Sequence, residues 1–400
     1  MKLWVESAYR VWPVGDGTTA DGVSTLRTED QFVAAVVGGQ EPGVRSQGPG
    51  ISTGIARRVT AELVSGVPMD GIVADVLAAL PAGEHVAAAL LRIGRDGRAE
   101  LVEIDAPPLF MARKGEFILL PVAEEELSGR LVRRCDFTVQ AGDHLALVSE
   151  GYIQAGGGIR QWSWRDIALS IRRLTSTGCD AEQLAGALAR LANSKGQIAK
   201  GKSANSKSAN GQIGESAVCN LKFAILALLV RSMRTVTVWT GPPADRAADG
   251  DGLRKLFAET GGRIICGDTT AEIAARLLAA RLVLEPRPPD GWKETPPTSR
   301  LIGPDGREPV TLVTEGVVTM RVAAERLASA QRPRDMAGRA DGASRLARLL
   351  LEADKITFLV GLAVNPSQTE RDGAPLRKAA VEGLVEELKA RGKIVAVEHF

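Results

Sequence analysis

AGDHLALVSEGYIQAGG, residues 141–157, is the place to begin. Gly142-Asp143 reads as a tight turn, and 144–148 is a short apolar run bounded by turn signals, the pattern of a buried strand. The run ends at Ser149-Glu150-Gly151. A carboxylate at the end of a buried strand can aim an oxygen ligand into a cleft. The glycine behind it lets the chain turn sharply and a ligand come close. A hard divalent cation needs several such oxygens, drawn from separate places in the chain. The same residues also read as a solvated acid at a strand end, with glycine starting a turn.

The 400 residues are enough for two domains of ordinary size. The chain is 44% hydrophobic but only 4% aromatic, so Ala, Val and Leu must fill the cores. A formal charge of +2 offers no general reason to expect a nucleic-acid or membrane-surface partner. Cys135, Cys179, Cys219 and Cys266 lack metal-ligand spacing and read as free thiols of a reducing compartment. Three histidines leave little for a zinc site or a His-based triad. The N-terminus has no apolar signal core, and the longest strongly apolar run, 223–230, is far too short to span a bilayer. A cytoplasmic protein is expected.

Along the chain, strands are expected at 3–9 and 32–37, with a polar, Gly-rich stretch at 15–21 between them. Helical spacing follows at 48–63 and 69–80, then short strands at 84–93, 99–104, 109–112 and 117–121. Helices are expected at 166–174 and 181–193, after the opening stretch. Residues 194–215 repeat themselves (KSAN at 202 and 207, GQI at 196 and 211) and carry almost no bulky apolar residue, which predicts a flexible loop. Beyond 240, strands alternate with helices, as in a parallel, helix-flanked sheet, with a Pro-rich loop at 286–309. The expected division is 1–235, an α+β domain with the insert 194–215, and 236–400, an α/β domain with a mainly parallel sheet.

The opening stretch resembles the GD-x-L-x-L-x-SDG signature of PPM-type metal-dependent serine/threonine protein phosphatases, in the branch typified by stage II sporulation protein E. Residues 105–110, DAPPLF, resemble that branch's N-x-PP-hydrophobic segment, and 156–164 its Gly-rich loop with a following Trp. The similarity spans roughly the first 240 residues. It implies two stacked antiparallel sheets with helices outside. It also implies two metals, Mn²⁺ or Mg²⁺, and hydrolysis of phosphoserine or phosphothreonine on a regulatory protein. In that family the SDG aspartate is a metal ligand, and Glu150 takes its place here. The first family aspartate fits Asp21, with Asp16 as rival. The second belongs in a DG pair after the strand at 32–37, where this chain has Gly38-Gly39. The Gly39 carbonyl can still serve, but the bridging carboxylate is missing. The last acidic pair falls near 220–222, which reads Asn-Leu-Lys. The implied metal residues are therefore Asp21, Gly39 and Glu150, with Glu41 and Glu215 near enough in sequence to substitute. Two carboxylates hold a two-metal centre poorly. A weakened phosphatase and a non-catalytic regulatory binding module both remain open.

Three loops of the second domain follow strands: Gly267-Asp268-Thr269-Thr270, Thr314-Glu315-Gly316 and 361–365. In a parallel sheet such loops share the edge where ligands bind. The first can present backbone N–H groups to a phosphate, although Asp268 sits where the anion would go. A nucleotide- or sugar-phosphate-binding unit is the third reading. Threonine caps and glycine turns explain the same loops without a ligand.

Overall fold

The computed structural model describes residues 2–12, 21–39, 51–79, 86–154, 163–204, 223–286, 296–330, 332–336, 338–363 and 376–400. The chain divides into two compact units, Met1–Ser232 and Met233–Phe400.

In the first unit, β3 (Gln31–Gly39) and β11 (Phe223–Ser232) explain why the sequence is apolar without alternation. Successive side chains of a strand point to opposite faces. Phe32, Ala34 and Val36 enter one core, and Val33, Ala35 and Val37 enter another. On β11, Ala224, Leu226 and Leu228 face the same inner core, and Phe223, Ile225 and Ala227 face outward into a third. A strand covered on both sides has no polar face to show.

The sheets follow from this. One has six antiparallel strands in the order β2-β3-β4-β5-β9-β8, where β2 is Gly22–Arg27, β4 Val86–Gly94, β5 Arg98–Ile104, β8 Ala123–Leu127 and β9 Arg130–Thr138. The other has five antiparallel strands in the order β1-β11-β10-β6-β7, where β1 is Leu3–Trp12, β6 Phe110–Arg113, β7 Glu116–Ile118 and β10 Asp143–Val148. Their inner faces stack through Phe32, Leu91 and Leu101 against Val5, Leu145 and Leu226. Helices α1 (Ile51–Val64) and α2 (Met69–Ala79) cover the six-stranded sheet with Val59, Leu63, Ile72 and Val76. Helices α3 (Glu150–Gln154), α4 (Trp164–Thr175) and α5 (Ala181–Ala204) cover the five-stranded sheet with Tyr152, Ile167, Ile171 and Leu188. The result is the expected α+β unit of two stacked antiparallel sheets flanked by helices. Burying each Leu, Ile or Val of these cores contributes about 1.5–3 kcal/mol.

The second unit holds one seven-stranded sheet in the order β14-β15-β16-β13-β12-β17-β18. Five neighbours run parallel: β16 (Leu312–Thr314), β13 (Gly262–Cys266), β12 (Thr235–Thr240), β17 (Lys355–Val360) and β18 (Ile394–His399). Helices α6 (Asp249–Ala258) and α7 (Asp268–Leu277) pack on one face with Trp239, Ile265 and Leu359. Helices α8 (Val317–Ser329), α9 (Gly342–Glu352) and α10 (Leu376–Ala390) pack on the other with Val238, Ile264 and Phe358. The mainly parallel α/β unit is as expected.

Two loop readings need correction. Helix α5 runs to Ala204, so 194–204 continues a helix where a loop is expected; 205–215 lies outside the described residues. The Pro-rich segment 286–309 contains β15 (Ser299–Ile302), which pairs antiparallel with β14 (Arg281–Leu284) and gives the sheet its mixed edge. Among the described residues, no helix is long and apolar enough to cross a membrane. Cys135, Cys179 and Cys266 are free thiols.

Candidate metal centre

Strands β2 and β3 pair with Gly22 opposite Val37, which sets Asp21, the residue before β2, beside Gly38. Asp21 is buried, 5% exposed. A Cβ built on Gly38 would lie 3.4 Å from Asp21 Oδ1 and 3.0 Å from the Cβ of Ser149. Thus the start of β2, the end of β3 and the end of β10 meet at position 38, joining the two sheets. Position 38 presents no side chain there.

Each of these segments is held by its backbone. A Cβ on Gly22 would lie 2.5 Å from the Ser52 carbonyl, so α1 rests directly on β2 and fixes the entry to Asp21. Ser149 is buried; its N–H donates to the Ala224 carbonyl at 2.9 Å, and its Oγ accepts from the Ala224 N–H at 2.9 Å. That exchange ties the end of β10 to β11. Gly39 closes β3 opposite Val86. Glu150 is the first residue of α3, is exposed, and accepts a hydrogen bond from Gln154 Nε2 at 2.9 Å. An acid in the first turn of a helix is stabilised by the helix dipole.

The structure therefore brings Asp21, Gly38 and Ser149 together, with Gly39 next along β3 and Glu150 next along the chain from Ser149. Asp16, Glu41, Glu215 and residues 220–222 lie outside the described residues. Among the described residues, no three His, Cys, Asp or Glu side chains form a group that could hold a metal ion. A two-metal centre draws on several carboxylates, and the described donors do not fit one.

Other residues of the quoted motifs hold structure. Asp143, of the Gly-Asp pair, is fully buried; Arg113 donates to its two oxygens at 2.8 Å each, and the Gln140 N–H to Oδ2 at 2.7 Å. Glu103, on β5, is 1% exposed, pairs with Arg133 at 3.0 Å and accepts from the Leu109 N–H at 2.5 Å. Burial raises its pKa, and the Arg133 charge and its hydrogen bonds offset part of that rise. Glu103 thereby pins segment 105–110 to the six-stranded sheet. Nothing in its spacing marks it: β5 reads RAELVEI, and Glu100 is an acid of the same strand.

No protein-family model and no curated protein sequence matches the chain. Solved structures do match it. Over part of its length the chain is similar to PP2C-type phosphatase domains. The phosphatase domain of the cell fate determinant SpoIIE from Bacillus subtilis is 14% identical, over 57% of this chain and 93% of that one, with a TM-score of 0.40. The RsbU and RsbW domains of a Mycobacterium tuberculosis protein are 14% identical, over 69% of this chain and 72% of that one, with a TM-score of 0.42. RsbX, in complex with magnesium, is 11% identical, over 56% of this chain and 95% of that one, with a TM-score of 0.38.

Proposed function

We propose that the first unit is a PPM-type protein serine/threonine phosphatase domain whose metal centre is depleted. It acts on a phosphoserine- or phosphothreonine-bearing regulatory protein with weak hydrolysis, in the cytoplasm. The observation that carries this reading is position 38. It lies between Asp21 and Ser149, where the motif resemblance expects the bridging carboxylate, and it is glycine. Mn²⁺ or Mg²⁺, when bound in such a centre, supplies an activated water and shields phosphate charge. Asp21 is the buried carboxylate that would face it, with the Gly39 carbonyl and Glu150 as further donors.

The test is a calorimetric Mn²⁺ titration paired with a phosphopeptide assay on the wild type and on Gly38→Asp. The wild type should take up at most one weakly held ion and hydrolyse very slowly. Gly38→Asp should tighten metal binding. Two tightly bound metals and brisk hydrolysis by the wild type would sink the proposal.

One observation favours a second reading, a non-catalytic binding module. A Cβ at position 38 would lie 3.0 Å from the Cβ of Ser149, tighter than ordinary side-chain contact, so position 38 has little room for a carboxylate side chain. If Gly38→Asp folds and gains no metal affinity, this reading takes precedence.

A further inference from the structure

In the second unit, the parallel strands run in the order β16-β13-β12-β17-β18, with β12 first in the chain and the order reversing on its two sides. Ligands of such sheets bind outside the carboxyl ends of the strands, where the order reverses, here between β12 and β17; β13 and β16 end at the same edge. At that edge β13 and β16 each end in a glycine that leads into a helix, Gly267 with φ 136° before α7 and Gly316 with φ 132° before α8. The Gly267 N–H donates to the Thr314 carbonyl at 2.9 Å, and a Cβ on Gly316 would lie 3.2 Å from the Gly267 Cα. Any larger residue would drive the two helix starts apart.

One buried polar group there has no partner. Thr270, in the first turn of α7, is fully buried, and its hydroxyl has no hydrogen-bond partner among the described residues. Thr270 Oγ1 points back to the helix start, 3.1 Å from the place a Gly267 Cβ would take. The Glu315 carbonyl bounds the same small space at 3.9 Å. A buried unsatisfied hydroxyl costs about 1–3 kcal/mol. Asp268 and Glu315 stand at the rim. Burial raises the pKa of each carboxyl; Glu272 adds to the rise of Asp268, and Asp268 to that of Glu315. Glu315 also accepts from the Thr319 N–H at 3.5 Å, at the start of α8.

These features select a chemistry. Uncompensated carboxylates repel a phosphate, so the anion reading of the 267–270 loop does not hold at this place. No third metal-ligating side chain joins the two acids among the described residues, which is too few for a metal cage. A ligand hydroxyl suits both groups, donating to a carboxylate and exchanging hydrogen bonds with a threonine. Asp268 also follows the second strand of the first half-sheet, in the region where sheets of this order place the acid that takes ribose hydroxyls. Gly241-Pro242-Pro243, after β12, carries no dinucleotide fingerprint, so no pyrophosphate site accompanies it.

We propose that the α7 and α8 starts form a binding site for a small molecule held by vicinal hydroxyls, the diol of a ribonucleoside or of a free sugar. The test uses the full chain. Calorimetry and thermal shift are run with adenosine, guanosine, cytidine, uridine, D-ribose and 2′-deoxyadenosine, and with inorganic phosphate and Mg²⁺ as rivals. A ribonucleoside or ribose should bind, and Thr270→Val and Asp268→Asn should each weaken that binding at least tenfold. Binding of ribose as well as nucleosides assigns the site to sugars; binding of nucleosides alone assigns it to ribonucleosides. Without ligand, Thr270→Val should melt no lower than the wild type, because it removes a hydroxyl that has no partner to lose. The proposal is overturned if no diol binds, if 2′-deoxyadenosine binds as well as adenosine, if phosphate or Mg²⁺ binds here instead, or if Thr270→Val lowers the ligand-free melting temperature.

Discussion

Asp341 shows how a single residue contributes to the second unit's response to pH. It caps α9, accepts from the Ser344 N–H at 3.1 Å, and pairs with Arg326 in a setting where both side chains are nearly buried. Burial alone would raise its pKa, but the bonds from Arg326 and Ser344 outweigh burial and hold the carboxyl below its usual range. A depressed carboxyl contributes stability above its unfolded pKa, about 3.9, and that stability is lost as pH falls through the folded value. Urea unfolding at pH 7 and at pH 3 should therefore show this contribution at the higher pH and its loss at the lower. Asp341→Asn should remove roughly 3 kcal/mol at pH 7, because it takes the negative charge out of a nearly buried ion pair, and should weaken the pH dependence. An unchanged slope would assign the acid sensitivity to other carboxyls. Single residues were the hardest scale to read in the sequence. Asp21 and Gly38 could be placed beside each other only through a family motif, and Asp143 and Glu103 look like ordinary acids until their burial is known.

The elements were more legible, and the misses share a cause. Helices expected at 69–80 and 166–174 match α2 and α4 to within two residues because their apolar periodicity is uninterrupted. Apart from β15, hidden in the Pro-rich segment, the strands that escaped reading are polar. β8 reads AEEEL and lies at a sheet edge, exposed along its length, where charge discourages pairing with another chain. β9 alternates arginines with Val132 and Cys135, and β2 carries Ser and Thr between its apolar residues. Periodicity cannot find a strand whose partner, not its composition, keeps it in place. The β2 contact with α1 makes the point testable. Gly22→Ala would force a methyl to 2.5 Å from the Ser52 backbone, and neither side can yield by a rotamer change. It should cost about 3 kcal/mol, or roughly 6–12 °C in melting temperature for a unit of this size. Gly54, inside α1 with nothing within 4 Å of its would-be Cβ, is the control: Gly54→Ala should stabilise by about 1 kcal/mol. Equal effects at the two positions would show that helix propensity, not the β2–α1 contact, governs this region.

At the scale of the molecule, the change of pattern near residue 240 was visible because two ways of covering a sheet leave different traces. Antiparallel strands joined by short turns crowd together in sequence, whereas parallel strands must be separated by a crossover helix. The structure adds that each sheet closes within its own unit. Every strand pair of the six- and five-stranded sheets lies in 1–232, and every pair of the seven-stranded sheet lies in 233–400. The second unit has its own cores, centred on Phe358, Leu346 and Leu384 on one face and on Trp239, Leu256 and Ile265 on the other. A chain segment with a closed sheet and apolar layers on both faces has what it needs to fold alone. We therefore expect residues 233–400, expressed by themselves, to unfold in one cooperative urea transition, followed through the buried indole of Trp239. In the full chain the same transition should appear at nearly the same midpoint, and Asp341→Asn should shift it in both settings by the same amount. A fragment without a cooperative transition, or one whose midpoint falls far below that of the full chain, would mean that the second unit depends on the first for its stability.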